Sequence, residues 1–262
     1  MSTKPIGIFD SGLGGTSIWK EIHSLLPKES TIYLADSKHA PYGERTQEEI
    51  LQLSIKNTEY LIQRGCKIIV VACNTATTNA IDYLRENYDH PFIGIEPAIK
   101  PAALNSKTGV VGVLATRGTL TSSLFTKTSA LYAKDRKVME QFGDGLVPLI
   151  ENGKINSAEM KELLHKYVDP MVKADIDYLV LGCTHYPYLV PQLKKILPES
   201  VTIIDSGYAV AKQTKAVLEK LDLLKLNDTP PKNLFYTNKD VTLLKSLMKD
   251  YEDIANFSFL EF

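Results

Sequence analysis

Two of the three cysteines in the chain each end a run of apolar residues and precede small polar ones. In VVACNTATT, residues 70–78, the run ends at Cys73, and Asn74 and Thr75 follow. In YLVLGCTHYP, residues 178–187, the run ends at Cys183, and Thr184 and His185 follow. A thiol has an ordinary pKa of about 8.5, and neighbouring groups or a helix N-terminus favour its thiolate. Both cysteines are therefore candidates for proton transfer.

Two such thiols on opposite faces of one carbon would invert its configuration. One thiolate would remove a proton, and the other, still protonated, would deliver one to the opposite face. General acid–base catalysis of this kind contributes roughly 10²–10⁴-fold per group. Each cysteine is predicted to precede a helix, whose first N–H groups stabilise a thiolate and bind a carboxylate. The neighbouring hydroxyl and amide side chains suit an amino-acid substrate.

The elements that would position these thiols alternate between strands and helices. Strands are predicted at residues 6–9, 31–35, 68–72, 92–95 and 109–115, and helices at 16–26, 46–64 and 75–87. Thr46 and Glu49 have the spacing of a capping box at the start of the long helix. Such alternation is typical of a mostly parallel sheet covered by helices.

The second half of the chain resembles the first. IGIFDSG and VGVLATR share a pattern that places Ser11 and Thr116 in matching positions, 116 − 11 = 105 residues apart, and the two cysteines are 183 − 73 = 110 apart. We therefore predict an α/β fold of two pseudo-symmetric domains with mostly parallel sheets and the active site in the cleft between them. The first lobe comprises residues 1–97 and 207–262, and the second comprises 98–206. Near the C-terminus we expect a helix at 208–221, a loop at 227–232, a strand near 233–237 and a helix near 241–251.

Ligands of open parallel sheets bind beyond the carboxyl ends of the strands. Asp10-Ser11-Gly12, Cys73-Asn74-Thr75, Thr116 and Cys183-Thr184-His185 each follow a predicted strand directly. We expect these four segments to meet at one cleft.

Composition excludes several other classes of protein. The 30 basic and 31 acidic residues give no field that favours nucleic acid or an anionic membrane. No signal peptide is recognisable, and every aliphatic run is shorter than the ~20 residues of a membrane span, which predicts a cytoplasmic protein. Three cysteines without a CxxC pair indicate neither a disulfide framework nor a structural zinc site, and we expect no metal or cofactor. Cys66 is interpreted as a core residue.

Five segments in order carry a resemblance to a known family. IGIFDSGLGG, YLADSKHAPYGERT, VVACNTATT, LVPLIENG and LVLGCTHYPYL, with IIDSG further on, resemble the cofactor-independent aspartate/glutamate racemase family over residues 6 to about 207. The resemblance implies two α/β domains around one active site, with Cys73 and Cys183 as the two acid–base groups. It also implies that Asp10 assists Cys73, and that His185, with Glu151, assists Cys183.

The resemblance further implies a substrate and its contacts. It favours interconversion of L- and D-glutamate, which supplies D-glutamate for peptidoglycan synthesis. The implied substrate-binding residues are Asp10, Ser11, Tyr42, Gly43, Asn74, Thr75, Thr116, Thr184 and His185. Homodimers are common in the family, so we expect one here.

Three alternatives remain open. The first is a racemase for aspartate or another amino acid, because two thiols do not fix the length of the substrate side chain. The second is an amino-acid-binding protein with inert cysteines. The third is an inhibitory partner of DNA gyrase, because the resemblance extends to relatives that restrain this enzyme. The near-neutral charge, however, offers no DNA-like acidic face.

Overall fold

The computed structural model describes residues 2–262 and contains two sheets built from ten strands. The strands are β1 (Ile6–Asp10), β2 (Thr31–Ala35), β3 (Ile68–Val71), β4 (Phe92–Ile93), β5 (Val110–Ala115), β6 (Lys137–Phe142), β7 (Tyr178–Gly182), β8 (Thr202–Ile204), β9 (Asn233–Thr237) and β10 (Ala255–Phe259). The helices are α1 (Thr16–Leu25), α2 (Gln47–Gln63), α3 (Asn74–Asn87), α4 (Ile99–Asn105), α5 (Arg117–Leu120), α6 (Ser123–Tyr132), α7 (Leu146–Glu151), α8 (Ala158–Lys173), α9 (Val190–Leu193), α10 (Gly207–Lys220) and α11 (Val241–Leu247).

The two sheets share one strand order. The first sheet runs β10-β9-β2-β1-β3-β4 and the second runs β6-β5-β7-β8, with every neighbouring pair parallel. The order β2-β1-β3-β4 in one lobe therefore matches β6-β5-β7-β8 in the other. Cys73 follows β3 and Cys183 follows the equivalent strand β7, which is the internal repeat that the sequence predicts.

The central strands of each sheet are buried on both faces, which explains their continuous apolar runs. On the first sheet, one core contains Ile6 and Ile8 of β1 with Trp19 of α1, and the opposite core contains Phe9 with residues of α2 and α3. The second sheet likewise separates two cores. The first sheet uses strands from both ends of the chain, which agrees with a first lobe made of two segments. The boundaries at 97/98 and 206/207 remain a prediction.

Most predicted elements are found within a few residues of their predicted limits, and Thr46 forms the expected capping box with Glu49. Two differ. The predicted helix at 241–251 ends at Leu247 and resumes only as a 3-10 turn at Lys249–Tyr251. β10 was not predicted, because only Phe257 and Phe259 give its alternating pattern and its parallel pairing with β9 is a tertiary contact.

The prediction that each cleft cysteine precedes a helix was wrong in one detail. Cys73 does precede an α-helix, but Cys183 is followed by a 3-10 helix at Tyr186–Leu189. Pro187 has no N–H group to donate, and it lies within this segment. The N–H groups of a long helix are therefore available to Cys73 and not to Cys183. Within residues 2–262, the helices are all too short or too polar to cross a bilayer.

Candidate active site

Both thiols line one narrow cleft between the lobes. The lining consists of Ser11, Pro41, Tyr42, Gly43, Cys73, Asn74, Thr75, Thr116, Val147, Cys183, Thr184 and His185. The cleft thus brings together ten of the twelve residues singled out from the sequence. The other two, Asp10 and Glu151, are buried and hydrogen-bonded to residues that lie in or next to this lining. The cleft volume is about 10 Å³, which is roughly the space that one water molecule requires.

Cys73 is the N-cap of α3 and is held by two neighbours. Its Sγ accepts a hydrogen bond from the Ala76 N–H at 3.4 Å and donates one to Ser11 Oγ at 3.5 Å. Burial raises the pKa of this thiol, and the nearby Asp10 carboxylate raises it further. Cys73 is therefore held as a protonated thiol at neutral pH, which suits the role of proton donor.

Asp10 ends β1 and connects the two lobes. Its Oδ2 accepts from the N–H groups of Gly12 and Gly15 at 3.2 and 2.9 Å, and its Oδ1 accepts from Thr184 Oγ1 of the second lobe at 3.2 Å. Burial raises the pKa of Asp10, although His185 opposes that shift. Asp10 makes no direct hydrogen bond to Cys73, so its influence on the pKa of that thiol is electrostatic.

Cys183 is accompanied by a buried imidazole–carboxylate pair. His185 Nδ1 lies 3.8 Å from Cys183 Sγ, and His185 Nε2 lies 2.6 Å from Glu151 Oε1. Burial alone lowers the pKa of His185, but its contacts with Cys183 and Glu151 raise it well above the ordinary value. Burial likewise favours the neutral form of Glu151, but the hydrogen bond from His185 leaves its pKa lowered. These shifts favour a protonated imidazole beside an ionised carboxylate, and the second ring nitrogen faces the thiol.

The glycine-rich turn after β1 receives this pair. Leu13 N–H donates to Glu151 Oε1 at 2.6 Å, and Gly14 N lies 3.2 Å from His185 Nε2. A Cβ atom at Gly12 would overlap the Glu151 carboxylate, and one at Gly14 would overlap the His185 ring. These glycines permit close approach of the second lobe, and they do not form a phosphate loop.

Further hydroxyl groups join the lobes beside the Thr184–Asp10 contact. Thr75 Oγ1 and Thr116 Oγ1 lie 2.9 Å apart across the cleft, and Thr116 also caps α5. Ser17 Oγ donates to the carbonyl of Thr184 at 2.9 Å. The predicted substrate contacts Thr75 and Thr116 are therefore also contacts between the lobes.

Asp36 is a supporting residue that the sequence reasoning missed. It follows β2, is 1% exposed, and accepts from His39 Nδ1 at 2.6 Å, from Tyr42 OH at 2.5 Å and from Asn238 Nδ2 at 2.6 Å. It thereby anchors the loop that carries Tyr42 and Gly43 into the cleft. The rule that located the other segments, a polar residue directly after a strand, applies to Asp36 as well.

The comparisons with known proteins agree with this geometry. The sequence profile of the family described as Asp/Glu/Hydantoin racemase matches residues 6–214. A glutamate racemase of Herpetosiphon aurantiacus is 48% identical over 224 residues, which cover 86% of this chain and 88% of the relative.

Solved structures are similar over nearly the full length. A glutamate racemase isoform from Bacillus anthracis superimposes with a TM-score of 0.87 at 34% identity, covering 98% of this chain and 97% of the other. The Escherichia coli glutamate racemase, solved with L-glutamate and the activator UDP-MurNAc-Ala, gives 0.86 at 32% identity and covers 98% of each chain. The chain belongs to the Asp/Glu/Hydantoin racemase family.

Proposed function

We propose that this protein is a glutamate racemase that uses Cys73 and Cys183 as its two acid–base groups, without a cofactor. The observation that carries the proposal is that the two thiols follow equivalent strands, β3 and β7, and line the same cleft from different lobes. Relatives that carry the name glutamate racemase match most of the chain at 42–51% identity, which supports glutamate over aspartate.

In the proposed reaction the proton count balances over one turnover. Cys183, beside the His185 imidazolium, acts as the thiolate that takes the α-proton from one enantiomer. Cys73, which its surroundings hold as a thiol, gives its proton to the opposite face of the carbanion. After turnover Cys183 is protonated and Cys73 is a thiolate, the state from which the reverse reaction starts. The Ala76 N–H at the start of α3 stabilises that thiolate.

The rest of the rate enhancement comes from positioning and charge. The cleft presents hydroxyl, amide and backbone N–H groups, together with the His185 imidazolium, to the substrate's carboxylates. Groups that are fixed before the reaction stabilise a developing negative charge without reorganising. Holding the α-carbon between two thiols also removes the entropic cost of bringing the acid and the base together.

The direct test is circular dichroism of L-glutamate with purified protein in deuterated buffer, without added cofactor. Decay of the signal to zero, with deuterium at the α-carbon, is the expected result. Tight binding of glutamate without exchange of the α-proton would contradict the proposal and favour an amino-acid-binding protein. Faster turnover of aspartate than of glutamate would correct the substrate.

We also propose that the D-glutamate formed serves peptidoglycan synthesis, that the protein is cytoplasmic and that it is a homodimer. These proposals rest on the family resemblance. Expression of the gene in a bacterium that requires D-glutamate tests the first, because growth without the supplement is expected. Cell fractionation tests the second, and light scattering across working concentrations tests the third, since a monomeric mass throughout would contradict it.

A further inference from the structure

The cleft leads into a portal on one side. Pro41, Gly43, Thr116 and Val147 line both the cleft and a neighbouring cavity of about 30 Å³. This portal lies between the 41–44 loop of the first lobe and the starts of α5 and α7 in the second. The cleft itself has room for about one water molecule, so as it stands it is too small for an amino acid.

The charges in the cleft and in the portal differ. None of the twelve residues that line the cleft is a lysine or an arginine, and His185 is the cation among them. The portal adds three charged side chains, which are Glu44 of the first lobe and Arg117 and Asp144 of the second. Arg117 is therefore the cation among the residues that line the portal.

Arg117 is held in a geometry that suits a carboxylate. Its Nε and Nη2 donate to the two oxygens of Asp144 at 3.0 and 2.6 Å, and its guanidinium lies 4.5 Å from the centre of the Phe142 ring. The Arg117 and Asp144 side chains are 57% and 49% exposed. An exposed ion pair of this kind contributes little to stability, so another carboxylate can exchange with Asp144 at little cost.

We propose that Arg117 captures a substrate carboxylate at the portal by exchanging it for that of Asp144, and that the substrate passes from there to the cleft. This inference rests on the proposed function, because it requires an anionic dicarboxylate substrate. Asp144 occupies the guanidinium between substrates. Thr116, the neighbour of Arg117 in the chain, already lies in the cleft, so the transfer covers a short distance.

The competing interpretation is that the ion pair only fixes the loop before α7. The two interpretations differ in what they predict for the two partners. A structural ion pair is broken equally by Arg117→Met and by Asp144→Asn, so both variants would lose activity together. A capturing arginine is lost in Arg117→Met but is released in Asp144→Asn, so the two variants would change activity in different directions.

The experiment compares steady-state racemisation of glutamate by these variants over a series of ionic strengths. Arg136→Met is the matched control, because Arg136 is exposed in the same lobe at the opposite end of β5 and β6. We expect Arg117→Met to lower kcat/KM about tenfold through KM, with kcat kept, since changes in rim charge alter association and its salt dependence. Asp144→Asn should exceed the wild-type kcat/KM, because the competing carboxylate is gone, and Arg136→Met should match the wild-type value.

Salt gives an independent readout. Added salt should lower the kcat/KM of the wild-type protein, because it screens the attraction of Arg117 for the substrate. In Arg117→Met, salt should raise kcat/KM or leave it unchanged, because Glu44 and Asp144 then repel the substrate and salt screens that repulsion. Equal losses in Arg117→Met and Asp144→Asn, or an unchanged Arg117→Met, would overturn the role of Arg117. If Arg117→Met does not fold, Arg117→Lys, which keeps the charge but not the paired donors, should retain the wild-type salt dependence. Absence of turnover in the wild-type protein would instead overturn the proposed function, and this inference with it.

Discussion

Glu151 Oε1 lies 2.6 Å from His185 Nε2, and the same oxygen accepts from Leu13 N–H of the other lobe, also at 2.6 Å. One carboxylate therefore orients the imidazole beside Cys183 and also contacts the turn that follows β1. Asp10, in the first lobe, likewise accepts a hydrogen bond from Thr184 of the second lobe. The carboxylate near each thiol therefore has a hydrogen-bond donor in the other lobe. Separation of the lobes would break both of these hydrogen bonds together.

Replacement of either cleft thiol should nearly abolish racemisation. We expect kcat to fall by roughly 10²–10⁴-fold in Cys73→Ser and in Cys183→Ser, which is the scale of one general acid–base group. A hydroxyl is a far weaker acid than a thiol near neutral pH. Circular dichroism of glutamate measures the loss. Cys66→Ala is the matched control: its thiol is 3% exposed and lies in an apolar core, where burial raises its pKa to about 12. Turnover near the wild-type rate in Cys73→Ser or Cys183→Ser would contradict the two-thiol mechanism.

Glu151→Gln should shift the pH dependence of catalysis. Glu151 helps to raise the pKa of His185 above its ordinary 6.5, so its loss should lower that pKa. The alkaline limb of kcat/KM that depends on the imidazolium should then move to lower pH. An unchanged alkaline limb, in a variant with reduced kcat, would mean that Glu151 acts on the structure alone.

The same substitution should also change how stability depends on pH. A raised His185 pKa stabilises the fold fully below 6.5, and this contribution is lost as pH rises through the folded value. A lowered Glu151 pKa stabilises it above about 4.5, and this contribution is lost as pH falls. The stability difference between wild type and Glu151→Gln should therefore be largest between about pH 4.5 and 6.5. Urea unfolding at several pH values measures it, and a difference that does not vary with pH would contradict the ion pair.

Gly12→Ala should damage the site although it adds one methyl group. The new Cβ would overlap the Glu151 carboxylate, so either the turn or the Glu151–His185 pair must move. We expect kcat to fall by about tenfold or more, since small misplacements near the reacting groups are costly. Gly207→Ala is the control, because its new Cβ would meet mainly the flexible side chain of Glu21. Equal activities of the two variants would contradict the tight approach.

Lys67→Met should destabilise the first lobe without altering the chemistry. Lys67 Nζ lies 2.6 Å from Glu29 Oε2, and both side chains are at most 3% exposed. Lys67 also donates to the carbonyls of Ser2 and Leu223. Removal of one partner of a buried pair costs about 3–5 kcal/mol, because the remaining charge is left unpaired. Urea unfolding should show this loss, whereas kcat of the folded variant should stay at the wild-type value. Loss of kcat with unchanged stability would contradict the structural role.

The sequence alone was sufficient to predict the alternating elements and the ends of the strands that carry chemistry. The apolar runs of β1, β3, β5 and β7 end at Asp10, Val71, Ala115 and Gly182. The carboxyl ends of parallel strands share one rim of a sheet. The capping box at Thr46 is equally local, because its two partners are three residues apart. Patterns of this kind depend on neighbours in the chain, so they can be read before the fold is known.

Tertiary structure decided which of these groups come into contact and how their pKa values are shifted. Glu151 is 34 residues from His185 in the chain and looks like part of a turn until α7 places it against the imidazole. Asp10 approaches Thr184, 174 residues away, and the same packing raises the pKa of Cys73 by burial. Contacts between the lobes and the removal of water from charged groups are properties of the assembled protein, because no local pattern records the distance between residues far apart in the chain.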